Sequence, residues 1–249
     1  MKFLSVWITV FLTAFSTAPA AQSAKPNIVV ILADDFGWGS STPYGAKGLN
    51  TPNLDRLARE GRRFTHAYAP GSVCSPSRYG LMTGRYYWRT AIKDGEVLTP
   101  TAPLHIEPGR VTLASLCKSQ GYRTGAFGKW HNTPTLDSVP SGPKHNWPAQ
   151  RGFDTFYGIM EGETHFFLPS ALRMNNQFLP IDEYPADYYS TDDWTDRGIQ
   201  FVKELREKGI PVEEVKVATK YVGTHIKVGG EHPRNKTVTL YQTQYINDL

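Results

Sequence analysis

From Asn27 to Ala33 the chain reads NIVVILA, a nearly continuous apolar run rich in β-branched residues. Such a run predicts a parallel strand buried on both faces. It stops at Asp34 and Asp35, and Phe36, Gly37, Trp38 and Gly39 follow. Two acids and two glycines after a buried strand mark a loop at its carboxyl end, the edge where open α/β sheets bind ligands. Thr51-Pro52 then reads as a cap with proline at the first helical position. Leu54, Leu57 and Ala58 form a helical stripe that Gly61 stops. Phe64 to Ala69 reads as a short strand, and Pro70 to Val73 as a loop. A second helix is expected from Ser75-Pro76 to about Gly84. A third runs from Thr112 to Gln120, with Leu113, Leu116 and Cys117 on one face. Arg123 to His131 reads as a strand.

The stretch from Asn132 to Asp193 is rich in Pro, Gly, aromatic and polar residues and predicts long loops, a composition that suits a binding rim. Asp192 to Lys208 predicts a helix, Val212 to Val222 a strand, and Thr237 to Asp248 a last helix. Strands alternating with helices favour an α/β fold, a three-layer α/β/α sandwich around a mostly parallel sheet.

The first twenty residues follow a different pattern. Lys2 precedes a mostly apolar run, Phe3 to Phe15, and Ala18-Pro19-Ala20 places small residues at a cleavage site. The run is short for a bilayer span. It predicts a signal peptide over residues 1–20 and an exported protein, periplasmic or secreted, with residues 21–249 left as the folded domain. No later stretch is long and apolar enough to anchor the chain in a membrane.

Composition adds little to this picture. The 249 residues are 40% hydrophobic and 20% charged, ordinary for a folded domain, and the net charge of +4 is scattered. No run of Lys or Arg suggests nucleic acid. The two cysteines, Cys74 and Cys117, would in an exported protein be expected to pair.

The surroundings of Cys74 point elsewhere. Ser75 suits a helix cap and Pro76 a first turn, so Cys74 stands at a helix N-terminus, where backbone N–H groups and the helix dipole favour an anion. Arg78, four residues on, lies one turn away. A thiol beside a fixed cation fits a nucleophile, although a structural cysteine near a cap fits the same features. In a strand, Lys129 and His131 share a face and would present a cation and a proton donor to one site.

Cys74-Ser75-Pro76-Ser77-Arg78, followed by Leu81, Thr83, Gly84 and Arg85, resembles the C-x-P-S-R…L-x-T-G-R signature of the type I sulfatases in the alkaline phosphatase superfamily. Asp34-Asp35 after an apolar strand and Gly128-Lys129-Trp130-His131 match the same family in the same order. The resemblance implies that a maturation enzyme oxidises Cys74 to formylglycine. One hydroxyl of the hydrated aldehyde would attack the sulfur as the alcohol leaves, and the second would then lose its proton, so that the aldehyde re-forms and sulfate is expelled. It implies that Asp34, Asp35 and the modified Cys74 ligate a divalent cation, usually Ca2+, a hard ion suited to oxygen ligands. Arg78 and Lys129 would stabilise sulfate oxygens, and His131 would contact the nucleophile. His225 would help protonate the leaving oxygen, with His165 a weaker candidate for the substrate site. The implied substrate is an aryl or carbohydrate sulfate ester, on a small molecule or a glycan. A phosphonate or phosphate ester hydrolase of the same superfamily is the neighbouring alternative. Relatives are longer and carry a later Asp-Asn-Gly motif with two more metal ligands. That motif is absent from these 249 residues, so the chain reads as C-terminally truncated, and an inactive fragment is the further alternative. Tyr86, Tyr87 and Trp88 could stack on a ring but are expected in the core. Asn235-Lys236-Thr237 fits a glycosylation acceptor and is expected to be a solvated loop.

Overall fold

The computed structural model describes residues 26–180 and 184–210, together with the strand backbones Lys216–Val217, Ile226–Lys227 and Lys236–Gln244. Residues 1–20, His225 and Asn235 lie outside the described residues. In chain order the strands are β1 (Ile28–Asp34), β2 (Tyr122–Lys129), β3 (Thr155–Ile159), β4 (Arg173–Met174), β5 (Gln177–Phe178), β6 (Lys216–Val217), β7 (Ile226–Lys227) and β8 (Lys236–Gln244). The α-helices are α1 (Pro52–Glu60), α2 (Cys74–Thr83), α3 (Leu113–Ser119) and α4 (Ser190–Glu207).

Among the described residues six strands form one sheet in the order β1-β8-β2-β3-β4-β5. The first four are parallel to one another, while β4 and β5 are added antiparallel. Alternation along the strands sends side chains to both faces. Ala126 and Phe156 join Tyr79 and Met82 of α2 and Ala114 of α3 in one core. Their neighbours Phe127 and Tyr157 join Trp194, Phe201 and Leu205 of α4 in the other. The sheet is thus covered on both faces, which gives the three-layer α/β arrangement. Each fully buried large side chain here contributes about 1.5–3 kcal/mol.

The helices form for legible reasons. In α3 the Thr112 hydroxyl accepts the Ser115 N–H (3.1 Å) and the Ser115 hydroxyl accepts the Thr112 N–H (2.8 Å), a reciprocal cap. Helix α4 buries Trp194, Gly198, Phe201, Val202 and Leu205, a stripe at helical spacing. Asp192 and Asp193 lie in its positive first turn.

Five expectations are corrected. The segment expected as a final helix forms β8, inserted between β1 and β2. Thr237, Val238, Thr239 and Tyr241 favour strand, and two parallel neighbours satisfy its backbone on both sides. Strand β1 is only half-buried apart from Asp34, because it stands at the edge of the sheet. Phe64 to Ala69 forms no strand: Phe64 is 63% and Tyr68 87% exposed, and the Phe64 carbonyl accepts the Tyr44 hydroxyl instead of a neighbouring strand. The expected loop region contains β3, a central strand. Tyr86 and Trp88 also leave the core: they stack on each other at 4.1 Å, about half exposed. Of the strand expected over Val212 to Val222, only Lys216–Val217 is described, paired antiparallel with β7.

Glycine permits the closest approach in the sheet. Gly128 and Gly158 are register partners, and a Cβ on Gly158 would lie 2.0 Å from the Gly128 carbonyl oxygen. This close pairing lies beside Lys129 and Ile159, at the carboxyl ends of β2 and β3, where the candidate site is found.

Candidate active site

Helix α2 starts at Cys74, one residue before the expected start. Val73 is the cap residue and provides no side-chain bond. The Ser75 hydroxyl, fully buried, instead accepts the Leu98 N–H at 3.1 Å and ties a later segment to the helix start. The first-turn N–H groups have no intrahelical acceptor, which makes this end favourable for an anion.

An open cleft of about 510 Å³ lies in front of this helix end, and Asp34, Asp35, Ser72, Cys74, Ser77 and Arg78 are among its lining residues. Asp34 ends β1 and is buried. Its Oδ1 receives Arg78 Nη2 at 3.0 Å and its Oδ2 receives Lys129 Nζ at 2.8 Å. Arg78 also donates from Nη1 to the Lys129 carbonyl at 2.6 Å. The three side chains join β1, α2 and β2 in one buried cluster with two cations and one carboxylate. Burial raises the Asp34 pKa, but the Lys129 hydrogen bond and the Arg78 and Lys129 charges outweigh it and hold the carboxyl below its ordinary range. Burial lowers the Arg78 pKa, while Asp34, and after it Cys74 and Asp35, act in the opposite sense. Cys74 is therefore within electrostatic reach of the guanidinium.

Two residues following these strands have left-handed backbones: Asp35 (φ 52°) after β1 and His131 (φ 46°) just beyond β2. Such conformations are costly for residues other than glycine and concentrate at functional sites. His131 is buried, and its Nδ1 has no hydrogen-bond partner among the described residues. Burial, with Lys129 and Arg78 adding to it, pushes its pKa down to about 3. The imidazole is thus neutral, and its proton sits on one nitrogen only.

The structure brings Asp34, Asp35, Cys74 and Arg78 onto one cleft and joins Lys129 to them through Asp34. His131 lies beside this cluster, within reach of its charges. His165 is exposed, and its Nδ1 accepts the Phe167 N–H at 3.2 Å, a contact local to its turn. Ser77 was not singled out by sequence, although its position three residues after Cys74 places both on one helix face. His105, 1% exposed and stacked at 4.8 Å on Tyr79, carried no sequence signal.

Asp34 and Asp35 are hard oxygen donors on the same cleft as Cys74, which suits a cation such as calcium in kind. In number they supply part of a shell: among the described residues no group of three His, Cys, Asp or Glu is placed to hold a metal. Cys74 and Cys117 are both free thiols, so the pairing expected from an exported chain is not made. Among the described residues no helix is long and apolar enough to cross a membrane.

The chain resembles several known proteins. It is 42% identical to arylsulfatase A of Bos taurus over 149 residues, 59% of this chain and 28% of that one. It is 47% identical to an N-acetylgalactosamine-6-O-sulfatase of Bacteroides thetaiotaomicron over 113 residues, 44% of this chain and 21% of that one. Arylsulfatase G of Canis lupus familiaris is 33% identical over 220 residues, 84% of this chain and 38% of that one. The chain therefore spans well under half the length of these relatives. The crystal structure of Ps i-CgsB superimposes with a TM-score of 0.68 at 25% identity, over 88% of this chain and 45% of that one. The sequence model of the sulfatase family matches residues 26–211, most of the chain. The chain belongs to the sulfatase family.

Proposed function

We propose that this chain carries the nucleophile-bearing part of an exported hydrolase of aryl or carbohydrate sulfate esters, with Cys74 as the site of formylglycine formation. One observation carries the reading. Cys74 opens a ten-residue helix on a cleft into which Asp34, Asp35 and Arg78 also face, with Lys129 bonded to Asp34 behind them. Helix N–H groups and a buried guanidinium favour an anion at that point.

The residues divide the work. Arg78 and Lys129 keep positive charge beside the entering sulfate, and Asp34 holds both cations in place. Buried donors of this kind need no reorganisation as charge moves onto the ester oxygens. Neutral His131 holds a proton on one ring nitrogen and accepts at the other, which suits contact with a hydroxylated nucleophile. Hydrated formylglycine at position 74 would supply one hydroxyl for attack on sulfur and a second for release of sulfate. Asp34 and Asp35 would contribute to holding a divalent cation, Ca2+ by family resemblance, that draws charge from the sulfate oxygens. His225 is the candidate donor to the leaving oxygen. Residues 1–20 would direct export.

The substrate class rests on relatives named for aryl sulfates and for N-acetylgalactosamine 6-O-sulfate. The test is the mass of the tryptic peptide Phe64 to Arg78 from protein made together with a maturation enzyme. Conversion predicts a lighter, hydrazide-reactive peptide and turnover of an aryl sulfate that Cys74→Ala abolishes. An unmodified thiol would remove the proposed nucleophile, and preference for a phosphate ester would move the chain to the neighbouring activity.

A further inference from the structure

Beyond strands β2 and β3 the two segments stay paired. Trp130 donates its N–H to the Ile159 carbonyl at 2.8 Å, and His131 donates to the Met160 carbonyl at 3.1 Å. The Met160 N–H in turn donates to Glu161 Oε2 at 3.0 Å. The same carboxylate receives a two-pronged bond from Arg173, with Nη2 to Oε1 at 2.7 Å and Nη1 to Oε2 at 2.9 Å. Arg173 is 1% exposed. It also donates from Nη2 to the Ser138 carbonyl at 2.6 Å and from Nη1 to the Ala171 carbonyl at 2.9 Å. Its guanidinium carbon lies 4.1 Å from the centre of the Phe178 ring. A guanidinium held by a fork, two carbonyls and an aromatic face has little freedom.

Gly162 follows Glu161. A Cβ at Gly162 would lie 2.6 Å from His131 Cε1 and 2.8 Å from Nε2, so its backbone forms a wall pressed against the imidazole. His131 is therefore held twice from this segment, by its backbone bond to Met160 and by the wall at Gly162. Glu161 stands between those two points, and Arg173 fixes Glu161.

We propose that Arg173, acting through Glu161, is a positioning residue for the His131 ring. It is absent from the residues lining the cleft and touches no reacting atom. The proposal rests on the reading of His131 as a site residue. Its physical content is that misplacement of a catalytic group by a fraction of an ångström is costly in rate. Glutamine at position 161 has a single acceptor oxygen, so it cannot accept both the Arg173 fork and the Met160 N–H as the carboxylate does.

The test uses the full chain and two readouts. The first is the long-range ¹H–¹⁵N NMR signal of the His131 ring, assigned by its loss in His131→Asn. Arg173→Met and Glu161→Gln are expected to shift or broaden it, the double variant is expected to match the single ones, and Arg173→Lys is expected to fall between. The second is turnover of an aryl sulfate: kcat is expected to fall about tenfold or more while KM stays within about twofold. Glu161 is 24% exposed, so Glu161→Gln decides the matter if Arg173→Met does not fold. An unchanged His131 signal in a folded but less stable variant would overturn the proposal and leave the pair a structural one. If the unsubstituted chain shows no turnover while the ring signal moves as expected, the functional reading fails and the positioning role stands.

Discussion

Lys129 Nζ sits 2.8 Å from Asp34 Oδ2, joining residues 95 positions apart at the carboxyl ends of two strands that are not neighbours in the sheet. Both side chains are almost fully buried, and Arg78 closes the group from the helix side. Asp34 is the hub because each of its oxygens serves one cation.

That hub predicts an asymmetry. Asp34→Ala leaves two buried cations without a counter-charge and is expected to cost about 3–5 kcal/mol. Lys129→Met keeps the Arg78 bond and most of the side-chain volume, and is expected to cost clearly less. Urea unfolding of the two variants measures the difference, and equal losses would contradict the central role of the carboxylate.

Acid should destabilise the fold well above the carboxylate range. Burial pushes His105 down to about 4, partly opposed by Glu107, and His131 down to about 3. The unfolded histidines bind protons first, near pH 6.5. Their contribution is thus present above that pH and is lost as pH falls toward the folded values. For His105 alone the loss amounts to about 3 kcal/mol. His105→Leu should flatten the decline in stability between neutral pH and about pH 5. Asp34, held low in the folded state, contributes a second loss as pH falls through the ordinary carboxylate range and below it. An unchanged slope in His105→Leu would show that this imidazole takes up its proton inside the fold.

The glycine pair in the sheet predicts a graded response. Gly158→Ala drives a Cβ into the Gly128 carbonyl and is expected to cost more than about 3 kcal/mol or prevent folding. Gly84→Ala meets no atom within 4 Å and suffers only the cost of φ +66°, about 1–2 kcal/mol. Thermal unfolding of the two variants orders these costs, and a milder effect at Gly158 would mean the strands can separate locally.

The two thiols should differ in an unmodified chain. Cys74 is half-buried on the cleft, whereas Cys117 is packed with Tyr122 and its thiol pKa is raised by burial. An alkylating reagent is expected to label Cys74 in the native state and Cys117 only on unfolding. Equal labelling, counted by mass, would contradict the burial of Cys117.

Local sequence was enough for helices α1 to α4, for β1 and for β2, because apolar spacing and punctuation by Pro and Gly act over a few residues. It also identified the family and singled out Asp34, Asp35, Cys74, Arg78, Lys129 and His131 as site candidates, since their motifs lie in short contiguous segments. The placement of β8 between β1 and β2 was decided by long-range pairing that no local window contains. So was the exposure of Tyr86 and Trp88, whose aromatic character alone suggested the core. The pairing of Asp34 with Lys129 and Arg78, the left-handed backbone of His131 and the Arg173–Glu161 fork behind it also required the tertiary structure. They arise where separate elements converge, and a charge's partner is set by distance in space rather than along the chain.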